Sequence, residues 1–168
     1  TVSVKIDEQH IQNSPWTGVY VAPSIIPQPS NTRIMNSKPV VQVGSVSFFY
    51  IQTVDEHGNA LATDTANITI DFPPSYGVSS PFVAYDAPGE WLVRFIPTKV
   101  VNSDVIQVFV NSVPIRPIEL TVIPAAASLV SSTASGDGLE VNQMLGKPCA
   151  FSLFASDYYG NAIHTSIL

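Results

Sequence analysis

The stretch Ser47 to Leu61 reads SFFYIQTVDEHGNAL, and the stretch Ala150 to Ile163 reads AFSLFASDYYGNAI. Each is an alternating apolar run closed by Asp-x-x-Gly-Asn, and Asp55 and Asp157 stand 102 residues apart. A signal that recurs at a fixed distance is typical of a repeated structural unit. A unit of about 100 residues has the size of an immunoglobulin-like sandwich.

A second pair of similar segments gives nearly the same period. HIQNSPWTGVYVAP ends at Pro23, and PIRPIELTVIP ends at Pro124, 101 residues later. This register predicts the closing strands of one repeat at 1–23, a complete repeat at 24–124 and the opening strands of a third at 125–168. Incomplete repeats expose apolar faces and unpaired strand edges, so we expect both ends to lean on the central repeat or to pair between chains.

The composition predicts an all-β protein with a substantial core. Hydrophobic residues make up 45% of the 168 residues, and fourteen prolines interrupt most windows that are long enough for a helix. Short alternating runs separated by Pro, Gly, Asn and Ser are typical of a β-sandwich, and no helix is predicted. The clearest runs are Val46 to Val54, Ala66 to Phe72, Glu90 to Ile96 and Val105 to Val110.

Charge and cysteine content exclude several classes of protein. The net charge is −6, and seven scattered Lys and Arg cannot form a stripe that neutralises phosphates, so no nucleic-acid partner is expected. The single Cys149 cannot form an internal disulfide. No uninterrupted apolar stretch approaches the roughly 20 residues of a membrane span, so no direct membrane insertion is predicted.

Strand alternation assigns side chains to faces. Because successive residues of a strand point to opposite sides, one face of the repeated strand is predicted to form the core, with Phe48, Tyr50 and Gln52 on the other. The predicted core residues of the two copies are Phe49, Ile51 and Thr53, and Phe151, Leu153 and Ala155.

Trp91, Val93 and Phe95 alternate in the same way and are predicted to be core residues, with Trp91 as a ligand platform the alternative. Cys149 aligns with Ser47 on the inward face, which predicts a buried and unreactive thiol.

The Asp-x-x-Gly-Asn segments are predicted to be turns. The aspartate oxygens should accept bonds from turn N–H groups, while the glycine supplies a positive φ. The predicted turn residues are Asp55, Gly58, Asn59, Asp157, Gly160 and Asn161. A calcium loop made by Asp55, Glu56 and Asn59 is the alternative, but it offers few carboxylates, and Tyr158 stands where Glu56 does.

A search for catalytic residues finds none. His10, His57 and His164 lie in or beside turns, without a nucleophile motif nearby and without the spacing of a zinc site. No metal and no cofactor are predicted. An accessory domain of an enzyme whose chemistry lies elsewhere stays open as a third hypothesis.

Four short elements, taken together and in order, resemble the filamin-type immunoglobulin-like repeats. They are SSTASGDGLEVNQMLGKP at 131–148, FSLFASDYYGN at 151–161, GEWLVRFIP at 89–97 and IQNSPW at 11–16. The central repeat departs from the pattern, because it ends in IRPIELTVIP without a Ser-Pro-aromatic corner and lacks the Ser-Gly-x-Gly-Leu opening.

The resemblance implies a non-catalytic repeat of a rod or scaffold that contacts its neighbouring repeats. It also implies a groove between strands C and D, where a partner peptide adds as an extra strand. The residues that map to this edge are Ala66, Asn67, Ile68, Thr69, Ile70 and Asp71 on strand C, and Phe82 and Ala84 on strand D. The expected location is cytoplasmic and cytoskeletal, with actin bound only through domains outside this chain.

The alternative is an extracellular cell-surface adhesion ectodomain built from filamin-type repeats, such as a gamete surface protein. Only 12% of the residues are charged, and Asn67-Ile68-Thr69 is a sequon that predicts possible glycosylation of an outward-facing Asn67. Bacterial adhesins with invasin-like repeats also contain Asp-x-x-Gly-Asn, but they lack the GEWLVRFIP and SPW elements.

Overall fold

The computed structural model describes residues 1–15, 24–63 and 65–163. These residues form thirteen strands and three single-turn 3-10 helices, at Pro29–Asn31, Pro74–Tyr76 and Asp137–Leu139. Within these ranges, no helix has the length and hydrophobicity that a membrane span requires. The strands are β1 (Lys5–Ile6), β2 (Gln9–His10), β3 (Arg33–Met35), β4 (Val40–Gln42), β5 (Ser47–Gln52), β6 (Ile68–Asp71), β7 (Phe82–Ala87), β8 (Glu90–Phe95), β9 (Val101–Val110), β10 (Val113–Pro114), β11 (Ile118–Ile123), β12 (Thr133–Ser135) and β13 (Ser152–Phe154).

Strands β3 to β11 form two sheets that pack face to face, which we call the central sandwich. One sheet has the order β3-β5-β8-β7 and is antiparallel throughout. In the other sheet, β4 pairs in parallel with β11. One side of the long strand β9 pairs with β11 and, further along, with β10, and its opposite side pairs with β6; these three pairings are antiparallel. The prediction of an all-β protein is confirmed.

The core lies where the alternation of β5 and β8 places it. Phe49, Ile51, Val93 and Phe95 are buried between the sheets, and Trp91 packs against them while half-buried. Phe48 lies on the outer face of the same sheet and is exposed. The predicted core faces of these two strands are therefore confirmed.

Tyr76 joins the turn before β7 to the opposite sheet, a role that no sequence pattern predicted. Its side chain is fully buried, with the hydroxyl oxygen 2.7 Å from the carbonyl oxygen of Asp104 and 2.9 Å from that of Leu120. Burial, assisted by the nearby Asp104 carboxylate, raises the pKa of Tyr76 to about 12. The phenol is thus a neutral structural link between β9 and β11.

The predicted burial of the second copy of the strand is wrong. Phe151 is 61% exposed and Leu153 is 68% exposed, and Cys149 is exposed as well. Strand β13 pairs with β12, as β5 pairs with β3, but no second sheet packs on this pair within residues 125–163. An inward-facing alternation produces burial only where an opposing sheet is present.

The N-terminal hairpin of β1 and β2 is also exposed throughout. Residues 16–23 are not among those that the structure describes, so the predictions for Trp16 of the SPW element and for the closing Pro23 lie outside the described residues.

Candidate functional site

The first predicted turn is organised around the buried carboxylate of Asp55. Its Oδ1 accepts backbone N–H bonds from His57 and Asn59, each at 2.9 Å, and both of its oxygens lie within 3.3 Å of Nδ2 of Asn59. Its Oδ2 accepts the backbone N–H of Ser24 at 3.1 Å, which ties the turn to the segment that precedes β3. Gly58 has φ of +83°, as predicted for a residue without a Cβ.

The second turn repeats this arrangement atom for atom. Oδ1 of Asp157 accepts backbone N–H bonds from Tyr159 at 3.0 Å and Asn161 at 2.9 Å, and Oδ2 accepts that of Ala125 at 3.2 Å. Asn161 Nδ2 lies 3.0 Å from both carboxylate oxygens, and Gly160 has φ of +83°. The two turns therefore bind the backbone amides of Ser24 and Ala125, which are 101 residues apart, in the same way.

Hydrogen bonding keeps both aspartates ionised. The side-chain bond from Asn59, with the backbone bonds, lowers the pKa of Asp55 to about 2. Burial opposes ionisation of Asp157, but the bonds from Asn161, Ala125 and Tyr159 outweigh burial, so its pKa is also lowered. Because N–H groups occupy both oxygens of each carboxylate, the positions that a calcium ion would need are filled by donors.

Strand β6 presents one free edge, which is the predicted peptide-binding edge. It pairs with β9 on one side, and no strand of the described residues pairs with its other side. Ala66 is buried, and Ile68, Ile70 and Phe72 pack against the core. The alternate residues Asn67, Thr69 and Asp71 face outward and are exposed.

The backbone groups of β6 alternate in direction as its side chains do. The N–H of Asn111 donates to the carbonyl oxygen of Asn67 at 2.8 Å, so Asn67 directs its carbonyl toward β9. In an antiparallel ladder every second residue bonds to the same neighbour, so Thr69 and Asp71 also face β9. The N–H and C=O groups of Ile68 and Ile70 consequently point to the free edge.

Strand β7 is an edge strand of the other sheet, and its two predicted groove residues face away from the core. Val83 packs against the core, and Tyr85 lies opposite Trp91 with ring centroids 5.5 Å apart. Phe82 and Ala84 alternate with them and lie on the outer face, where the Arg94 guanidinium sits 4.8 Å from the Phe82 ring centroid. The pleat thus assigns the inward-facing positions of β7 to Val83 and Tyr85, which differ from the two residues predicted from the sequence.

Within the described residues, clefts open on both sides of the core. A cleft of about 300 Å³ lies next to Phe82, between the segment Val78 to Ser80 and Phe95. Another, of about 190 Å³, opens between β4 and β5 on the other side of the sandwich, with Phe49 and Leu120 in its lining. The first adjoins the beginning of β7, with Phe82 and Arg94 of the outer face in its lining.

The glycosylation sequon and the histidines occupy exposed positions wherever the structure describes them. Asn67 is accessible on the outer face of β6, and its glycosylation stays a prediction. His10 and His57 are exposed, and His164 lies outside the described residues. Across residues 1–15, 24–63 and 65–163, no group of three His, Cys, Asp or Glu side chains is arranged to hold a metal ion.

Comparison with known proteins gives matches at the level of structure. No protein-family model and no curated protein sequence matches the chain. FdeC, an Escherichia coli adhesin, matches with a TM-score of 0.56 and 17% identity over 80% of this chain and 43% of its own. Invasin, a bacterial integrin-binding protein, matches with a TM-score of 0.53 and 12% identity over 79% of this chain and 27% of its own.

The matched structures also include the filamin domain of Lin-41, with a TM-score of 0.49 and 18% identity over 58% of this chain and 96% of that domain. The predicted immunoglobulin-like sandwich is confirmed by the FdeC and invasin matches. The chain spans less than half of the solved FdeC chain and about a quarter of the solved invasin chain.

Proposed function

We propose that this chain is a non-catalytic stretch of an extracellular adhesin built from tandem immunoglobulin-like repeats. The observation that carries the proposal is the repeated aspartate turn, in which Asp55 and Asp157 bind equivalent amides in successive parts of the chain. Structures of FdeC and invasin cover about four fifths of the chain, whereas residues 24–124 alone make up 101 of its 168 residues. The likeness therefore includes residues beyond the central sandwich.

The comparisons support the extracellular alternative and give no support to a cytoskeletal rod. FdeC is an Escherichia coli adhesin and invasin is a bacterial integrin-binding protein, and neither description concerns actin. A low content of charged residues and the exposed Asn67 sequon agree with an extracellular location.

Antibody labelling of intact cells of the native host tests the location. Antibodies raised against this chain should label cells without permeabilisation, and mild external protease should remove the signal. Labelling that requires permeabilisation would contradict the adhesin proposal and return the question to an intracellular scaffold.

The binding mode within this proposal is addition of an extended partner segment to the free edge of β6. The N–H and C=O groups of Ile68 and Ile70 supply the main-chain bonds, and the side chains of Val83 and Tyr85 on β7 bound the other wall of the groove. Main-chain bonds give affinity in this mode, and alternate side chains of the added strand give selectivity.

The matched variants Ile70→Pro and Ile70→Ala separate the edge bond from the packing of the side chain. Both lose the isoleucine contacts, but only proline removes the N–H that faces the free edge, and proline is tolerated on an edge strand with that orientation. Peptides selected on the wild-type chain from a displayed random library serve as the probe. Ile70→Ala should bind them within a few-fold of wild type, while Ile70→Pro should lose about tenfold or more.

Equal binding by the two Ile70 variants, at matched folding by circular dichroism, would exclude this edge as the binding site. Failure of the library to yield any extended binder would also count against strand addition, while leaving the surface location to be decided by the labelling experiment.

A further inference from the structure

The turn at Asp157 to Asn161 makes a second set of contacts, directed away from its own segment. Nδ2 of Asn161 donates to the carbonyl oxygen of Thr98 at 3.0 Å, and its Oδ1 accepts the backbone N–H of Val100 at 3.2 Å. Thr98 and Val100 belong to the loop between β8 and β9 of the central sandwich. One carboxamide therefore bonds both to its own turn and to the main chain of the neighbouring unit.

Tyr159 adds a close apolar contact beside these bonds. A Cβ placed on Gly44, which has φ of +75°, would lie 2.7 Å from Cε2 of Tyr159. The tyrosine ring thus lies directly on the backbone of the turn between β4 and β5. The N–H of Gly44 donates to the carbonyl oxygen of Pro97 at 2.8 Å, so this turn and the β8–β9 loop form one surface.

Asn59 occupies the equivalent place in the first turn and shows what the second set of contacts adds. Its Nδ2 bonds to both oxygens of Asp55, as that of Asn161 bonds to Asp157. Within the described residues its side chain makes no further hydrogen bond, and Asn59 is exposed whereas Asn161 is half-buried.

We propose that the Asp-x-x-Gly-Asn turn is a docking element that fixes each unit on the one before it, with Asn161 and Tyr159 setting the angle of this junction. The inference deepens the proposed function and rests on its tandem repeats. The docking partner is backbone: two main-chain groups of the β8–β9 loop and a glycine in the β4–β5 turn. Because main-chain groups are the same in every sequence, divergent repeats can dock in one way and form a stiff stalk.

The pair Asn161→Ala and Asn59→Ala provides the test and its matched control. Each variant loses the amide bonds to its own aspartate, but only Asn161→Ala also loses the bonds to Thr98 and Val100. The readouts are amide hydrogen exchange at Val100 and residual dipolar couplings, which report the orientation of residues 125–163 relative to the central sandwich. Asn161→Ala should accelerate exchange at Val100 about tenfold and scale down the couplings of the C-terminal residues. Asn59→Ala should leave both readouts unchanged.

Tyr159→Ala is the second variant, because it leaves the hydrogen bonds of the turn in place. It should also weaken the alignment of residues 125–163 while the amides of Ala125 and Asn161 stay protected. Wild-type exchange and couplings in both Asn161→Ala and Tyr159→Ala, or equal effects of Asn161→Ala and Asn59→Ala at Val100, would overturn the proposal.

These readouts are independent of location and of any partner peptide. A stiff junction in a protein that proves intracellular would refute the adhesin proposal alone, whereas a loose junction in a labelled surface protein would refute the docking element alone.

Discussion

At the scale of single residues, two carboxylates carry much of the organisation of this chain. Asp55 and Asp157 are almost completely buried, yet each is ionised because four N–H donors converge on it. Each carboxylate joins its turn to a backbone amide more than thirty residues earlier, at Ser24 or Ala125. The Asp-x-x-Gly-Asn motif thus links two parts of the chain that are about thirty residues apart in sequence.

The first prediction concerns acid stability. The pKa of Asp55 is lowered from 3.8 to about 2, chiefly by the Asn59 side chain, and that of Asp157 is lowered as well. A carboxylate with a depressed folded-state pKa stabilises the fold above its unfolded-state pKa, and that contribution is lost as pH falls through the folded-state value. The melting temperature should therefore fall between about pH 4 and pH 2.

Calorimetry on wild type and Asp55→Asn measures this contribution. The variant should melt at a lower temperature at pH 7, because its amide presents a donor to a site made of donors, and its melting temperature should depend less on pH below 4. An identical pH profile in the two proteins would show that Asp55 does not contribute to acid unfolding.

The second prediction concerns Tyr76. Replacing it with phenylalanine leaves the buried carbonyl groups of Asp104 and Leu120 without the hydroxyl, which should cost about 1–3 kcal/mol of unfolding free energy. Tyr50→Phe is the control, because the Tyr50 hydroxyl has no partner within the described residues, and its cost should stay within about 0.5 kcal/mol. Urea unfolding would contradict the assignment if the two variants lost equal stability.

At the scale of the strand, equivalent positions in the two copies of the repeated strand have different environments. Phe49 and Phe151 are equivalent in the repeat, but Phe49 is buried between two sheets and Phe151 is 61% exposed. Phe49→Ala should cost about 3–5 kcal/mol, whereas Phe151→Ala should change the unfolding free energy by about 0.5 kcal/mol or less. Chemical denaturation of both variants tests this, and a large loss for Phe151→Ala would mean that the residue packs in a core.

Alternation alone was enough to predict the faces of β5 and β8, since Phe49, Ile51 and Val93 follow a period of two against a buried sheet. It could not predict the exposure of Leu153 and Cys149, because burial depends on a second sheet that no local pattern encodes. The turns were predictable because Asp and Gly have specific backbone chemistry at fixed spacing.

The groove was only partly predictable, for a reason of register. Strand β6 carries an unbroken alternation, so Asn67, Thr69 and Asp71 face outward as expected. On β7, a register shift of one residue decides whether Phe82 or Val83 faces inward. The size and hydrophobicity of the two side chains do not distinguish these registers. The cross-strand pairs Phe82 with Arg94 and Tyr85 with Trp91 are what assign the faces. The outward contacts of Asn161 were not predictable, because both partners are main-chain atoms of another part of the chain.

At the scale of the whole molecule, we propose that the chain consists of successive immunoglobulin-like repeats and that each repeat is closed by the same aspartate turn. Amide hydrogen exchange of the wild-type chain, followed by NMR, tests this most directly. We expect protection of the six backbone amides bound by the two carboxylates, in matched pairs: Ser24 with Ala125, His57 with Tyr159, and Asn59 with Asn161. Protection of the first member of each pair, with the second exchanging at the rate of an unstructured peptide, would contradict it.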